Sequence, residues 1–312
     1  MNQFQTAHHA IVDWAGKMPD REFLLQPVDG NIRTYSFAES ADSCRRMASA
    51  LLGMGLKPGD KVAILAKNSA EWILADIAIS MAGLISVPIY PTANEDTISY
   101  IIGHSEASAI FIGKLDEPGI VSVAVPRSLP RIAFPYDIEG CDHEWASLVE
   151  ANPPLDALAE PDPMDVMTIL YTSGSTGRPK GVVLNYRAYH YASMAALTLV
   201  NVDSSDHLFS YLPLSHITER TVTAGPAIYA GTRCSFVESL KTFQHDLKTA
   251  APTVFMSVPR LWVKFQAGVH AKIPPMKLSL LLSMPIVRGI VARKSRSELG
   301  FGGGGRVGGG GA

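Results

Sequence analysis

Between Thr172 and Lys180 the chain reads TSGSTGRPK, a run of hydroxyl-bearing and glycine residues closed by a lysine. Gly174 and Gly177 let the backbone turn tightly, and a tight turn aims successive N–H groups into one concavity where an anion can bind. Ser173, Ser175 and Thr176 add hydroxyl donors with little bulk. Lys180 supplies a mobile positive charge suited to phosphate oxygens, and Pro179 stiffens the approach to it. Together these residues suggest the grip of a polyphosphate. The run differs from the loop in which glycine, lysine and a hydroxyl residue follow in direct succession, because Arg178 and Pro179 separate Gly177 from Lys180. Composition alone also fits a flexible Ser/Gly hairpin between two strands.

A second candidate lies about forty residues further on. His216 follows a predicted strand, Leu208–Leu212, and in an open α/β sheet side chains at that place project towards a ligand crevice. A histidine there equally serves to cap or pack beneath the next helix. Glu219 and Arg220 fit either a site role or a structural ion pair, with each other or with neighbours. Arg260, in SVPRLW, reads as structural. Trp262 and Phe265 stay unassigned, since aromatics at helical spacing more often pack than touch ligand.

These residues need a frame, and the pattern from Lys61 onward supplies one. Short β-branched runs alternate with longer helical periods, as expected of parallel strands joined by crossover helices, so the fold class is α/β. Val62–Ala66, Ser86–Tyr90 and Ala109–Gly113 read as strands, and Ser69–Leu84 and Glu95–His104 as helices, the first capped by Ser69. A second series starts with the strand Val166–Tyr171, followed by the Gly/Ser/Thr turn and a helix over Tyr186–Val200. Strands at Cys234–Val237 and Thr253–Val258 and helices over Glu219–Ala230, Phe243–Ala250 and Arg260–Val269 complete it. The proline-rich stretch Pro153–Pro163 divides the chain into two expected α/β subdomains, 1–160 and 161–301, the second carrying the phosphate loop. Residues 302–312 (GGGGRVGGGGA) form a glycine-rich tail, too free in backbone to specify a strand.

Composition excludes several classes. With 312 residues, 47% of them apolar, the chain has ample material for buried cores. A net charge of -2, with both signs interspersed, gives no footprint for nucleic acid. Cys44, Cys141 and Cys234 lie too far apart for a metal-spaced pair, and the N-terminus lacks the basic start and apolar run of an export signal, so a cytoplasmic setting is expected. No uninterrupted apolar run reaches about 18 residues. Met276–Val291, broken by Pro285 and Arg288, reads as a core helix or, alternatively, as a peripheral membrane contact.

The longer pattern Tyr171–Leu184 (YTSGSTGRPKGVVL) resembles the signature loop of the adenylate-forming, AMP-binding superfamily, which includes acyl-CoA synthetases, luciferases and peptide-synthetase adenylation domains. Asn68–Thr92 and Tyr211–Arg220 (YLPLSHITER) resemble other segments of that superfamily in the same order. Together they cover most of the chain, which resembles the large N-terminal domain of these enzymes. The form LPLSHITER is most similar to the long-chain fatty acid:CoA ligase branch.

That resemblance implies a chemistry. A fatty acid carboxylate attacks the α-phosphate of Mg-ATP, pyrophosphate leaves, and the thiol of coenzyme A then attacks the acyl-adenylate. It implies that Thr172 stands near Mg2+ and that Lys180 meets the β/γ-phosphates. Ser173, Gly174, Ser175, Thr176 and Gly177 form the cradle, and His216 lines the adenylate and acyl site. The family's later motifs, among them an aromatic–Gly–x–Thr–Glu segment, a ribose-binding aspartate and a catalytic lysine, are not seen in this sequence. The expectation is therefore an N-terminal portion that does not turn over alone, the alternative being a non-catalytic nucleotide- or acyl-binding module of the same fold.

Overall fold

The computed structural model describes residues 4–172, 177–274 and 276–278 and the backbone of Arg306–Gly309. The first half runs α1 (Ala7–Lys17), β1 (Glu22–Val28), β2 (Asn31–Ser36), α2 (Phe37–Gly53), β3 (Lys61–Leu65), α3 (Ala70–Met81), β4 (Ile85–Ile89), α4 (Glu95–Ser105), β5 (Ala107–Ile112), α5 (Ile120–Ala124), β6 (Arg131–Ala133), β7 (His143–Glu144) and α6 (Trp145–Ala151). The second runs β8 (Val166–Thr172), β9 (Lys180–Asn185), α7 (Tyr186–Val200), β10 (His207–Ser210), α8 (Ile217–Glu219), a π-turn (Arg220–Ala224), α9 (Gly225–Ala230), β11 (Arg233–Phe236), α10 (Phe243–Ala250), β12 (Val254–Ser257), α11 (Pro259–Lys272) and β13 (Arg306–Gly309).

Side-chain caps set the helix starts. Ser36 and Glu39 form a reciprocal capping box on α2, Ser69 accepts the Trp72 N–H on α3, and Asn185 accepts the Ala188 N–H on α7. Asp29 and Gly30, both at positive φ, make the tight turn between β1 and β2.

Seven strands form one sheet in the order β7-β6-β5-β3-β4-β8-β9, parallel throughout except for the antiparallel pair β8·β9. Four form another, β10-β11-β1-β2. Each sheet takes strands from both sides of Pro153–Pro163. Helix α3 packs against β1 of one sheet and β3 and β4 of the other, and all of its residues are buried, Glu71 and Asp76 included. A helix sealed on every side must satisfy such charges internally. Glu71 accordingly accepts from Arg33 at 2.9 Å and from the hydroxyls of Tyr35 and Tyr136 at 2.6 and 3.2 Å.

The loop after β8 leads into a strand, β9, before the helix at Tyr186, so the connection is the hairpin between two strands that composition also allowed. Two expectations change. The helix expected over Glu219–Ala230 is broken by the π-turn, in which the Gly225 N–H reaches back to the Arg220 carbonyl. A Cβ on Gly225 would lie 2.2 Å from Ser193 Oγ of α7, so close helix approach explains the glycine. Arg306–Gly309 pairs in parallel with β12, Val254 opposite Arg306, although a glycine-rich end is expected to specify no strand. Backbone N–H and C=O groups suffice to dock on an open strand edge. Of Met276–Val291, only Met276–Leu278 lie within the described residues, so the core-helix and membrane-contact readings fall outside them. Among the described residues no helix is long and apolar enough to cross a membrane.

Candidate functional site

Strand β8 runs parallel to β4, so its end at Thr172 lies on the same edge as the carboxyl ends of β3, β4 and β5. That edge is where open α/β sheets bind ligands. Thr172 and Lys180 are register partners across the β8·β9 hairpin, and both are exposed. Directly paired residues place their Cβ atoms on one face, about 5 Å apart. A hydroxyl and an ammonium therefore flank the mouth of the loop from the same side. Gly177 has φ +87° with open space around a would-be Cβ, so the left-handed backbone alone calls for glycine. Ser173, Gly174, Ser175 and Thr176 lie outside the described residues.

Neighbours fix the base of this hairpin. Tyr171 is buried, its hydroxyl 2.7 Å from His104 Nδ1 of α4. Its register partner is Gly181, where a Cβ would come within 3.0 Å of Ile169 Cγ2 and 3.4 Å of the Tyr171 ring. The Arg178 guanidinium lies 5.5 Å from the Tyr100 ring, also on α4.

His216 lies beyond β10 of the other sheet. It is exposed and caps α8, its Nδ1 accepting the Thr218 N–H at 3.1 Å. An accepting Nδ1 puts the proton of the neutral ring on Nε2. The capping role weighed in the sequence is thus observed.

Glu219 and Arg220 do not pair with each other. Glu219 is 1% exposed, accepts the Tyr211 N–H at 3.1 Å, and is pushed up to about 7 by burial, with the Ser210 and Thr223 hydroxyls opposing the shift. Arg220 is wholly buried. Its Nη2 donates to both Asp76 oxygens at 2.8 and 2.7 Å, its Nη1 to Thr168 Oγ1 at 2.8 Å, and the rings of Trp72 and Tyr189 lie 5.6 Å away. Four residues after His216, the chain is thus tied to β8 four residues before Thr172.

Sequence reasoning missed two contributors. Arg178 served only as a spacer in the motif, and Asn68 was read only as the start of a longer segment. Asn68 is buried at the carboxyl end of β3, and its amide donates to Ser210 Oγ at 2.8 Å and to the Leu212 carbonyl at 2.6 Å. Its Oδ1 accepts the Leu214 N–H at 2.9 Å. The only available signal was its place between a buried strand and the cap at Ser69.

A mainly parallel sheet with a hairpin at its carboxyl edge is the architecture in which α/β proteins bind ligands at that edge. The AMP-binding enzyme family matches this sequence over residues 11–300, and the chain belongs to that family. It is 30% identical over 290 residues to long chain acyl-CoA synthetase 2 of Arabidopsis thaliana, a match covering 82% of this chain and 42% of that protein. It is 32% identical over 258 residues to fatty acyl-CoA synthetase A of Dictyostelium discoideum, covering 78% and 38%. The fold is similar to that of the A-PCP didomain of carboxylic acid reductase from Segniliparus rugosus, solved with AMP, at TM-score 0.78 and 20% identity over 99% of this chain and 49% of that one. The chain spans about two fifths of the length of these curated relatives.

Proposed function

We propose that this chain is the N-terminal portion of a ligase that activates a long-chain fatty acid with ATP and passes the acyl group to coenzyme A. The observation that carries the reading is the cross-strand pair Thr172/Lys180 at the carboxyl edge of the parallel sheet. The names of the relatives support the substrate class, and the segment Tyr211–Arg220 supports the same branch.

Negative charge collects on phosphate oxygens as the carboxylate attacks and pyrophosphate departs, and oriented donors already in place lower that barrier. Lys180 holds the β/γ oxygens, the turn around Gly177 supplies backbone N–H groups, and the Nε2–H of His216 faces the adenylate and acyl side. No group of three His, Cys, Asp or Glu among the described residues could hold a metal by itself. The hydroxyl of Thr172 fits beside an ion that arrives with the polyphosphate. Mg2+ bound there neutralises phosphate charge. A cytoplasmic setting fits the scattered cysteines and needs no disulfide.

Palmitate-dependent ATP–pyrophosphate exchange tests this reading. The 312-residue chain alone should show none, while the chain continued with the C-terminal part that the longer relatives carry should exchange, and Lys180→Ala should lower that rate about 100-fold. Robust exchange by the short chain would overturn its incompetence. Exchange that survives both Lys180→Ala and Thr172→Ala would overturn the roles given to the hairpin.

A further inference from the structure

The segment Tyr211–His216 belongs to no strand or long helix, yet several of its backbone groups have defined partners, while the buried Ser215 hydroxyl has none among the described residues. The Tyr211 N–H is taken by Glu219, the Leu212 carbonyl and the Leu214 N–H by Asn68, and the His216 N–H by the Pro213 carbonyl at 2.9 Å. Asn68 supplies two of these bonds and a third to Ser210 Oγ, from a side chain that is 6% exposed. A carbonyl can only accept and an N–H can only donate, so the amide has one orientation and cannot flip. Asn68 also joins the two sheets where both end. It follows β3 of the seven-stranded sheet, and the residues it holds are the last of β10 in the four-stranded sheet and two just beyond it.

We infer that Asn68 is a positioning residue, which sets the place of the His216 imidazole relative to the phosphate hairpin before any ligand arrives. The inference rests on the ligase reading above. A loop on which catalysis or acyl binding depends gains from being fixed in advance, because ordering it on binding costs affinity. The chemistry of the side chain suits the task, since a carboxamide is the smallest group that offers a donor and an acceptor side by side to a loop backbone. Ala at this position leaves the Leu212 carbonyl and the Leu214 N–H without their partner. Asp turns an oxygen towards the Leu212 carbonyl.

Two probes on the chain continued with the C-terminal part that the longer relatives carry separate positioning from general support. Mg-pyrophosphate reports on the hairpin alone, and a palmitoyl sulfamoyl adenosine, a stable mimic of the acyl-adenylate without β or γ phosphates, reports on the His216 side. Asn68→Ala should weaken the mimic about tenfold or more while leaving pyrophosphate affinity unchanged, with His216→Ala giving no further loss on the Asn68→Ala background. Equal loss of both probes, in step with a lower melting temperature, would overturn the inference, as would unchanged affinity for the mimic. Should Asn68→Ala fail to fold, hydrogen exchange in the wild-type chain decides. The Leu214 amide should exchange as slowly as amides of β3, and exchange at the rate of an exposed loop would overturn the assignment. A wild-type chain that binds neither probe would instead sink the ligase reading on which the inference stands.

Discussion

Lys180 and Glu219 show how differently two charged residues of one region are used. Lys180 is exposed, so its charge is available and costs the fold little. Glu219 is sealed in, takes one backbone N–H, and is pushed up to about 7 by burial, so it is half protonated near neutrality. A carboxyl whose folded pKa is raised supports the fold while protonated, and that support is lost as pH rises through the folded value. Wild-type stability relative to Glu219→Gln should therefore fall between pH 5 and pH 8, by roughly 3 kcal/mol at full ionisation. Urea unfolding of both proteins across that range measures it, and parallel curves would rule out a buried titrating Glu219. Thr172, Lys180 and His216 were legible as candidates from residue type and spacing. Asn68 was not, because one asparagine before a helix cap carries no pattern, and its meaning lies in three bonds made more than 140 residues away.

Elements with a sealed face were the easiest to read. The helix at Tyr186–Val200 falls where it is expected, with Asn185 as its cap, and the strands β3, β4 and β5 match their runs of β-branched residues. The strand β9 was legible only as the second arm of the Ser/Gly hairpin that composition allowed, because Val182 and Val183 are both exposed on a sheet edge, which leaves no alternation of apolar and polar positions to detect. The Asp29–Gly30 hairpin carries a clear turn signal, but a reading that begins at Lys61 passes it by. The π-turn has no period of its own and arises from packing. There the contact between α7 and Gly225 makes a sharp prediction. Gly225→Ala should cost about 1–3 kcal/mol in chemical denaturation, because its Cβ meets Ser193, while Gly268→Ala in α11, where nothing lies within 4 Å, should be neutral or slightly stabilising.

At the scale of the whole molecule, buried polar groups tie the N-terminal helix to α3 and to the segment that leads towards β8. His8 of α1 is fully buried, with Nδ1 2.7 Å from Ser80 Oγ and Nε2 3.0 Å from the Ala159 carbonyl. The carbonyl must accept, so Nε2 carries a proton. Burial, helped by neighbouring His9, lowers this imidazole to about 3, while His207 is lowered to about 4 by burial and Arg233. Between those values and about 6.5 the unfolded chain binds protons that the folded chain refuses, so stability is lost as pH falls through that window. His8→Gln should remove part of that slope, at most about 1.4 kcal/mol per pH unit, while the remainder follows His207. An unchanged slope in urea unfolding between pH 6.5 and pH 5 would contradict the assignment.

The central claim is that the Thr172–Lys180 hairpin is a polyphosphate grip, and calorimetric titration of the chain with Mg-pyrophosphate tests it most directly. The account predicts one saturable site per chain, weakened about tenfold or more by Lys180→Ala with no change in melting temperature, since that side chain is exposed. Absence of binding, or binding that is indifferent to both Lys180→Ala and Thr172→Ala, would contradict it.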